Sequence, residues 1–104
     1  MTRVNYCRDE ERHKLAVQGH AGYDETGRDI VCAGVSAISY ALLGFLYDAG
    51  GVIEKAQTGS GEMVIECERA AGIDSAFHMA MIGYLQIAKK YPQHVDVYIA
   101  AQGG

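Results

Sequence analysis

Two residues in the first third of this 104-residue chain have side chains that could act together as nucleophile and base: His20, in "QGHAGY", and Cys32, in "RDIVCAG". A thiolate is the nucleophilic form of cysteine, and a neutral imidazole can take the thiol proton and later hand it to a leaving amine. Asp29 fits the N-cap of a helix starting just after it, with its carboxylate accepting from the free N–H of Val31 or Cys32. Cys32 then lies in a first helical turn, where the helix dipole and unpaired amides favour the thiolate. The competing reading is a small buried hydrophobe, since free cysteine is among the most buried residue types. Asp29 has two readings as well, cap or orienter of His20, and its position fits the cap without assuming any fold.

Residues around this pair take supporting roles. Ser36 stands one turn beyond Cys32 on the same helix face, where it could hydrogen-bond substrate or His20, or else its own backbone. Gly19 would let a substrate backbone approach the strand end, or mark a strand irregularity. Ala21, Gly22 and Tyr23 open a loop, Ala21 to Arg28, expected to order over a bound substrate, with Tyr23 touching it. First-turn N–H groups, that of Cys32 included, are candidates to hold an oxyanion. Cys7 and Cys67 fall in strand patterns and read as packing residues. His13 reads as a turn residue, His78 as helical and His94 as the start of the last strand. No C-x-x-C, H-x-x-x-H or H-E-x-x-H spacing occurs and the three cysteines lie on separate elements, so a metal site is disfavoured; no cofactor is expected.

The elements that must position these residues follow from periodicity. "TRVNYC" and "HKLAVQGH" alternate apolar and polar residues and predict two strands joined by the charged "RDEER" turn. From Ile30 to Tyr47 eighteen residues carry no formal charge. Val31, Val35, Ile38, Leu42 and Phe45 form a helical stripe there, broadened by Leu43 and Leu46 into a largely buried helix ended by the glycines of "DAGG". "GGVIEKAQ" and "GEMVIECE" predict strands around "TGSG", with Met63, Ile65 and Cys67 inward and the glutamates outward. A second helix is expected from about Ile73 to Tyr91, with Ile73, Phe77, Met81, Tyr84 and Ala88 on its stripe and Pro92 stopping it; "HVDVYIA" closes as a strand. The order β-β-α-β-β-α-β predicts an α+β fold, a two-layer sandwich in which two helices cover a mostly antiparallel sheet, forming one domain over 1–104.

Composition excludes several classes. A chain of 104 residues, 49% hydrophobic and 21% charged, fits one globular unit able to bury a core without staples. A net charge of -4 argues against a surface built to grip nucleic acid, which needs clustered Lys and Arg. The uncharged run is marginal for a membrane span and is interrupted by Ser36, Ser39 and two glycines. Three cysteines, with charges where a signal peptide would need an apolar core, point to a reducing cytoplasm.

The stretch "GHAGYDETGRDIVCAGVSAIS" closely resembles the signature of the ribosomal-processing cysteine protease family, Prp: Gly-His-Ala, a flexible loop, then Asp-Ile-Val-Cys-Ala with a Ser one turn on. The resemblance implies an endopeptidase that removes the short N-terminal extension of a large-subunit ribosomal protein of the bacterial L27 type, and a homodimer. It places the nucleophile on Cys32, the base on His20, and the other recurrent polar or small positions on Gly19, Asp29 and Ser36. One departure is Gly34, where the family often has a second alanine after the cysteine; it could loosen the first turns or allow a close backbone approach. Two other classes fit the chain: a non-catalytic dimeric ribosome-assembly module that binds the same peptide, and a thiol enzyme acting on a small molecule. Alkylation rate separates the first from a protease, and dependence on peptide length separates the second.

Overall fold

The computed structural model describes residues 1–25 and 27–101. Its elements are β1 (Thr2–Arg8), β2 (Arg12–Gln18), α1 (Ile30–Ala49), β3 (Ile53–Gly59), β4 (Glu62–Glu68), α2 (Ala71–Lys90) and β5 (Val95–Ala101), in the expected order. The strands form one sheet in the order β3-β4-β2-β1-β5. Three of its pairings are antiparallel, and β5 lies parallel to β1. Because β4 sits between β2 and β3, and β2 and β1 sit between β4 and β5, each helix is a crossover connecting strands of the same direction.

Period-two alternation decides which sheet face is covered. Val4 and Tyr6 of β1, Leu15 and Val17 of β2, and Met63, Ile65 and Cys67 of β4 are buried in one core with residues of both helices. Arg3, Lys14 and Glu62, from the alternate positions, are exposed. The largest fully buried side chains include Tyr84, Phe77, Leu46 and Ile65. Burying side chains of this kind contributes about 1.5–3 kcal/mol each.

The first helix departs from its expected stripe. Val31, Val35, Leu42, Leu43 and Leu46 are buried, but Phe45 is 47% exposed and Ser39 is buried in the same face. The periodicity followed apolar identity, whereas the helix buries a hydroxyl because it has partners: Ser39 Oγ donates to the Val35 carbonyl at 2.8 Å and pairs with Tyr84 Oη of α2 at 2.6 Å. By length and hydropathy α1 is also apolar enough to cross a membrane, with 33% of that window buried in the fold. It is therefore not largely buried: one stripe faces the core, and an apolar stripe remains outside.

The two helices approach through glycine. A Cβ on Gly34 would lie 3.3 Å from Ile87 Cδ1 of α2, and one on Gly83 would lie 2.8 Å from Ile38 Cδ1 of α1. Each isoleucine fills the space left by a glycine opposite, so the unusual Gly34 serves helix packing. On α2, Ile73, Phe77, Met81 and Tyr84 are buried as the stripe predicts. Gly50, in the left-handed region at φ 72°, caps α1 as "DAGG" suggests.

His13 is placed differently from its sequence reading. It lies inside β2 and is fully buried, stacked on Phe77 with ring centroids 4.1 Å apart. Its Nε2 lies 2.6 Å from Asp74 Oδ1, and its Nδ1 lies 2.6 Å from Tyr6 Oη. Charges flanking it in sequence suggested a turn, but the turn closes earlier, where Asp9 Oδ1 accepts from the backbone N–H of Glu11 and of Arg12.

Candidate active site

The site forms where β2 ends and α1 begins. One backbone bond carries the β2–β4 ladder past its last rung, Gln18 opposite Glu62: the Gly19 N–H donates to the Gly61 carbonyl at 2.8 Å. Gly19 has φ +91°, and a Cβ there would collide with the Met1 carbonyl oxygen. The close neighbour of this glycine is thus the chain's own first residue. His20 follows immediately, its ring exposed and lying against Gly61.

Asp29 is the N-cap of α1, and its Oδ1 accepts from the Cys32 N–H at 2.9 Å. Its Oδ2 accepts from the N–H of Tyr23 at 2.9 Å and of Asp24 at 3.4 Å, so one carboxylate fastens the loop to the helix start. His20 is not among its partners. Burial opposes the charge of Asp29, but the backbone N–H groups of Cys32, Tyr23, Asp24 and Val31 outweigh it and hold the carboxyl below the usual aspartate range. Two first-turn amides are committed within this cap, since Cys32 donates to the carboxylate and Ala33 to the Asp29 carbonyl at 3.0 Å. An oxyanion would have to compete for the Cys32 N–H.

Other loop residues are held from behind. Ala21 is buried, and its carbonyl, which can only accept, fixes the His94 proton on Nδ1 at 2.9 Å. Gly22 adopts φ +69°. Tyr23 is 44% exposed and meets the rings of Tyr91 and His94 edge-on, at 5.3 and 5.4 Å. Thr26, within the candidate lid from Ala21 to Arg28, lies outside the described residues.

Three of the candidate residues share one place. His20, Cys32 and Ser36 line both of two adjoining cavities. One, of about 460 Å³, also has Gly22, Asp24, Gly27, Asp29 and Ala33 in its walls. The other, of about 90 Å³, is walled by Gly19, Gly61 and Glu62 and by the apolar Val17, Val35, Tyr40 and Met63. Ala21 and Tyr23 support the loop from outside these walls. Gly61, Glu62 and Tyr40 escaped the sequence reading; the only signal was the glycine-rich turn in "TGSGE", which says nothing of what it faces.

The cysteines differ in access. Cys32 is partly exposed, whereas Cys67 is fully buried and its thiol is pushed up to about 11, chiefly by that burial. Iodoacetamide at neutral pH is expected to modify Cys32 about tenfold faster than Cys67 or more, read by mass spectrometry of tryptic peptides. Equal rates would show Cys32 to be a packed core residue.

A cysteine in the first turn of α1 and a histidine just past the end of β2 line one cleft, beside two helices that cover a mixed sheet, and the class of protein this frame belongs to is the cysteine-type peptidases. The sequence agrees: the chain belongs to the Peptidase_Prp family, cysteine protease Prp, which it matches over residues 1–96. A structure of the essential ribosomal processing protease Prp from S. aureus, in complex with a covalently linked product peptide, is similar with TM-score 0.85 at 18% identity, covering 95% of this chain and 99% of that one. The same protease in complex with a substrate peptide gives TM-score 0.74 at 19% identity, with the same coverage. A Streptococcus mutans protein gives 0.76 at 24% identity, covering 98% of this chain and 96% of its own. At these identities the likeness is one of fold. No curated protein matches the sequence.

Proposed function

We propose that this peptidase removes the N-terminal extension of a large-subunit ribosomal protein of the L27 type, with Cys32 as nucleophile and His20 as general base. The observation that carries this reading is the pair of adjoining cavities that His20, Cys32 and Ser36 wall together. Two cavities that both have Cys32 in their walls suit an extended peptide with residues on both sides of the scissile bond. Cys32 Sγ attacks the carbonyl carbon, the C–N bond breaks, and the proton taken by His20 passes to the leaving amine; water then releases the acyl group by the reverse transfer. With the Cys32 N–H already bonded to Asp29, the Ser36 hydroxyl is a side-chain donor within reach of the cleft for the oxyanion or the substrate. Asp29 acts as cap and loop clamp. The loop from Ala21 to Arg28 closes over the peptide.

The test is incubation of the protein, and separately of Cys32→Ser, with a peptide spanning such an extension, followed by intact-mass analysis. A single cut by the wild type and none by the variant is the expected result. Binding without cleavage would instead support an assembly module, and turnover that does not depend on peptide length would support a small-molecule thiol enzyme.

The chain also works as a homodimer in the cytoplasm, on this reading. A cavity of about 700 Å³ between the outer faces of α1 and α2 is walled by Ala37, Ile38, Phe45, Ala76, Met79 and Gly83, among others. Phe45 is 47% and Met79 72% exposed beside it. Such an apolar patch is what a second copy would cover. Sedimentation at micromolar concentration is expected to give twice the 11.2 kDa chain mass; Met79→Glu is expected to shift it to the monomer, and a wild-type monomer would refute the dimer.

A further inference from the structure

We infer that Gly61, in the β3–β4 turn, is a positioning residue for His20, setting where the imidazole lies in the cleft that it lines together with Cys32; this rests on the reading of His20 as the base. The contact is specific to this turn. A Cβ at Gly61 would lie 2.7 Å from His20 Nε2, 3.0 Å from Cε1 and 3.2 Å from Cδ2, so the Nε2 edge of the ring is set directly against the glycine. The backbone is fastened at the same point, because the Gly61 carbonyl accepts the Gly19 N–H at 2.8 Å, one residue before His20. Both glycines adopt positive φ, +91° at Gly19 and +67° at Gly61. The hairpin therefore fixes the backbone that carries His20 and, with the same residue, limits where the ring can lie.

A side chain at Gly61 would have to displace the ring. His20 is exposed, so the ring can swing away at little cost to the fold. The consequence falls on the position of the base, where a misplacement of about 1 Å is enough to slow the chemical step about 100-fold. Gly51 supplies the control: its φ is +73°, close to that of Gly61, but a Cβ there meets nothing within 4 Å. The two alanine variants share the backbone strain and differ in the ring contact.

The experiment compares Gly61→Ala, Gly51→Ala, His20→Ala and the wild type by thermal midpoint, by kcat and KM on the extension peptide, and by the His20 Cε1–H signal in NMR spectra. Gly61→Ala and Gly51→Ala are expected to lose a similar number of degrees. Only Gly61→Ala is expected to lower kcat, about tenfold or more with KM within about twofold, and to move the His20 signal. Wild-type kcat and an unmoved signal in Gly61→Ala overturn the proposal. If His20→Ala cleaves normally, the reading of His20 as base fails, while a moved signal in Gly61→Ala still shows that Gly61 places the ring. Should Gly61→Ala not fold, the wild type decides: cross-relaxation between His20 Cε1–H and the Gly61 Hα protons supports the placement, and its absence overturns it.

Discussion

His20→Ala is expected to lower kcat/KM on the extension peptide by about 10²–10⁴-fold, the contribution of a positioned general base, while leaving the thermal midpoint almost unchanged. The small effect on stability follows from the exposure of the ring, since surface substitutions away from special features stay within about ±0.5 kcal/mol. No other described histidine is placed to take over. His94 has Nδ1 committed to the Ala21 carbonyl, His13 is buried within β2, and His78 is exposed on α2, outside the walls of both cavities. Combining His20→Ala with Cys32→Ser should cost little more than Cys32→Ser alone, because residues that act as a unit are not additive. Peptide cleavage by mass spectrometry checks both points, and full activity in His20→Ala would remove the histidine from the mechanism.

The second large effect concerns stability and lies away from the cleft. Asp74 accepts from His13 Nε2 at 2.6 Å and from Arg69 Nη2 at 2.9 Å, and Arg69 Nη1 donates to the Asp9 carbonyl at 2.7 Å. A carboxylate only accepts, so His13 carries its proton on Nε2, and its Nδ1 accepts from Tyr6, whose hydroxyl is pushed up to about 12, mainly by burial. Hydrogen bonding from Arg69 leads in holding Asp74 below the usual aspartate range, against the opposing effect of burial. Asp74→Ala would strand the buried His13 donor and the Arg69 guanidinium, and is expected to cost about 2–3 kcal/mol in urea unfolding.

The same network gives a pH dependence of definite sign. Burial leads in pushing His13 below its ordinary value of 6.5, although Asp74 pulls the other way. The folded state therefore holds His13 neutral where the unfolded chain takes up a proton, so stability falls as pH drops below 6.5, by at most about 1.4 kcal/mol per pH unit. Asp74, with its pKa depressed, adds a further loss below 3.8 as its carboxylate is protonated. His13→Gln keeps a donor and an acceptor but does not titrate, and is expected to flatten the slope of the urea midpoint between pH 7 and 5. An unchanged slope in that variant would remove His13 as its source.

The readings that held share a local cause. Asp29 caps α1 because capping depends on the few residues around a helix start, and the strands alternate because side chains in a strand do. The readings that moved depended on partners far along the chain. Ser39 could be buried because Tyr84, forty-five residues later, offers a hydroxyl, and His13 because Asp74 and Tyr6 meet it across the sheet and α2. Phe45 fits the apolar period yet lies on the face of α1 turned from the sheet.

What the sequence determined by itself was the order of elements, the cap that puts Cys32 in a first turn, and the single loop that leads from His20, just past the end of β2, to that helix. These rest on periods of 2 and 3.6 residues and on hydrogen bonds spanning only a few residues. The tertiary structure alone decided the strand order β3-β4-β2-β1-β5, the arrival of the β3–β4 turn against His20, and the glycine–isoleucine contacts between the helices. Each of these depends on which distant surfaces bury each other, and a residue's own type and neighbours do not carry that information.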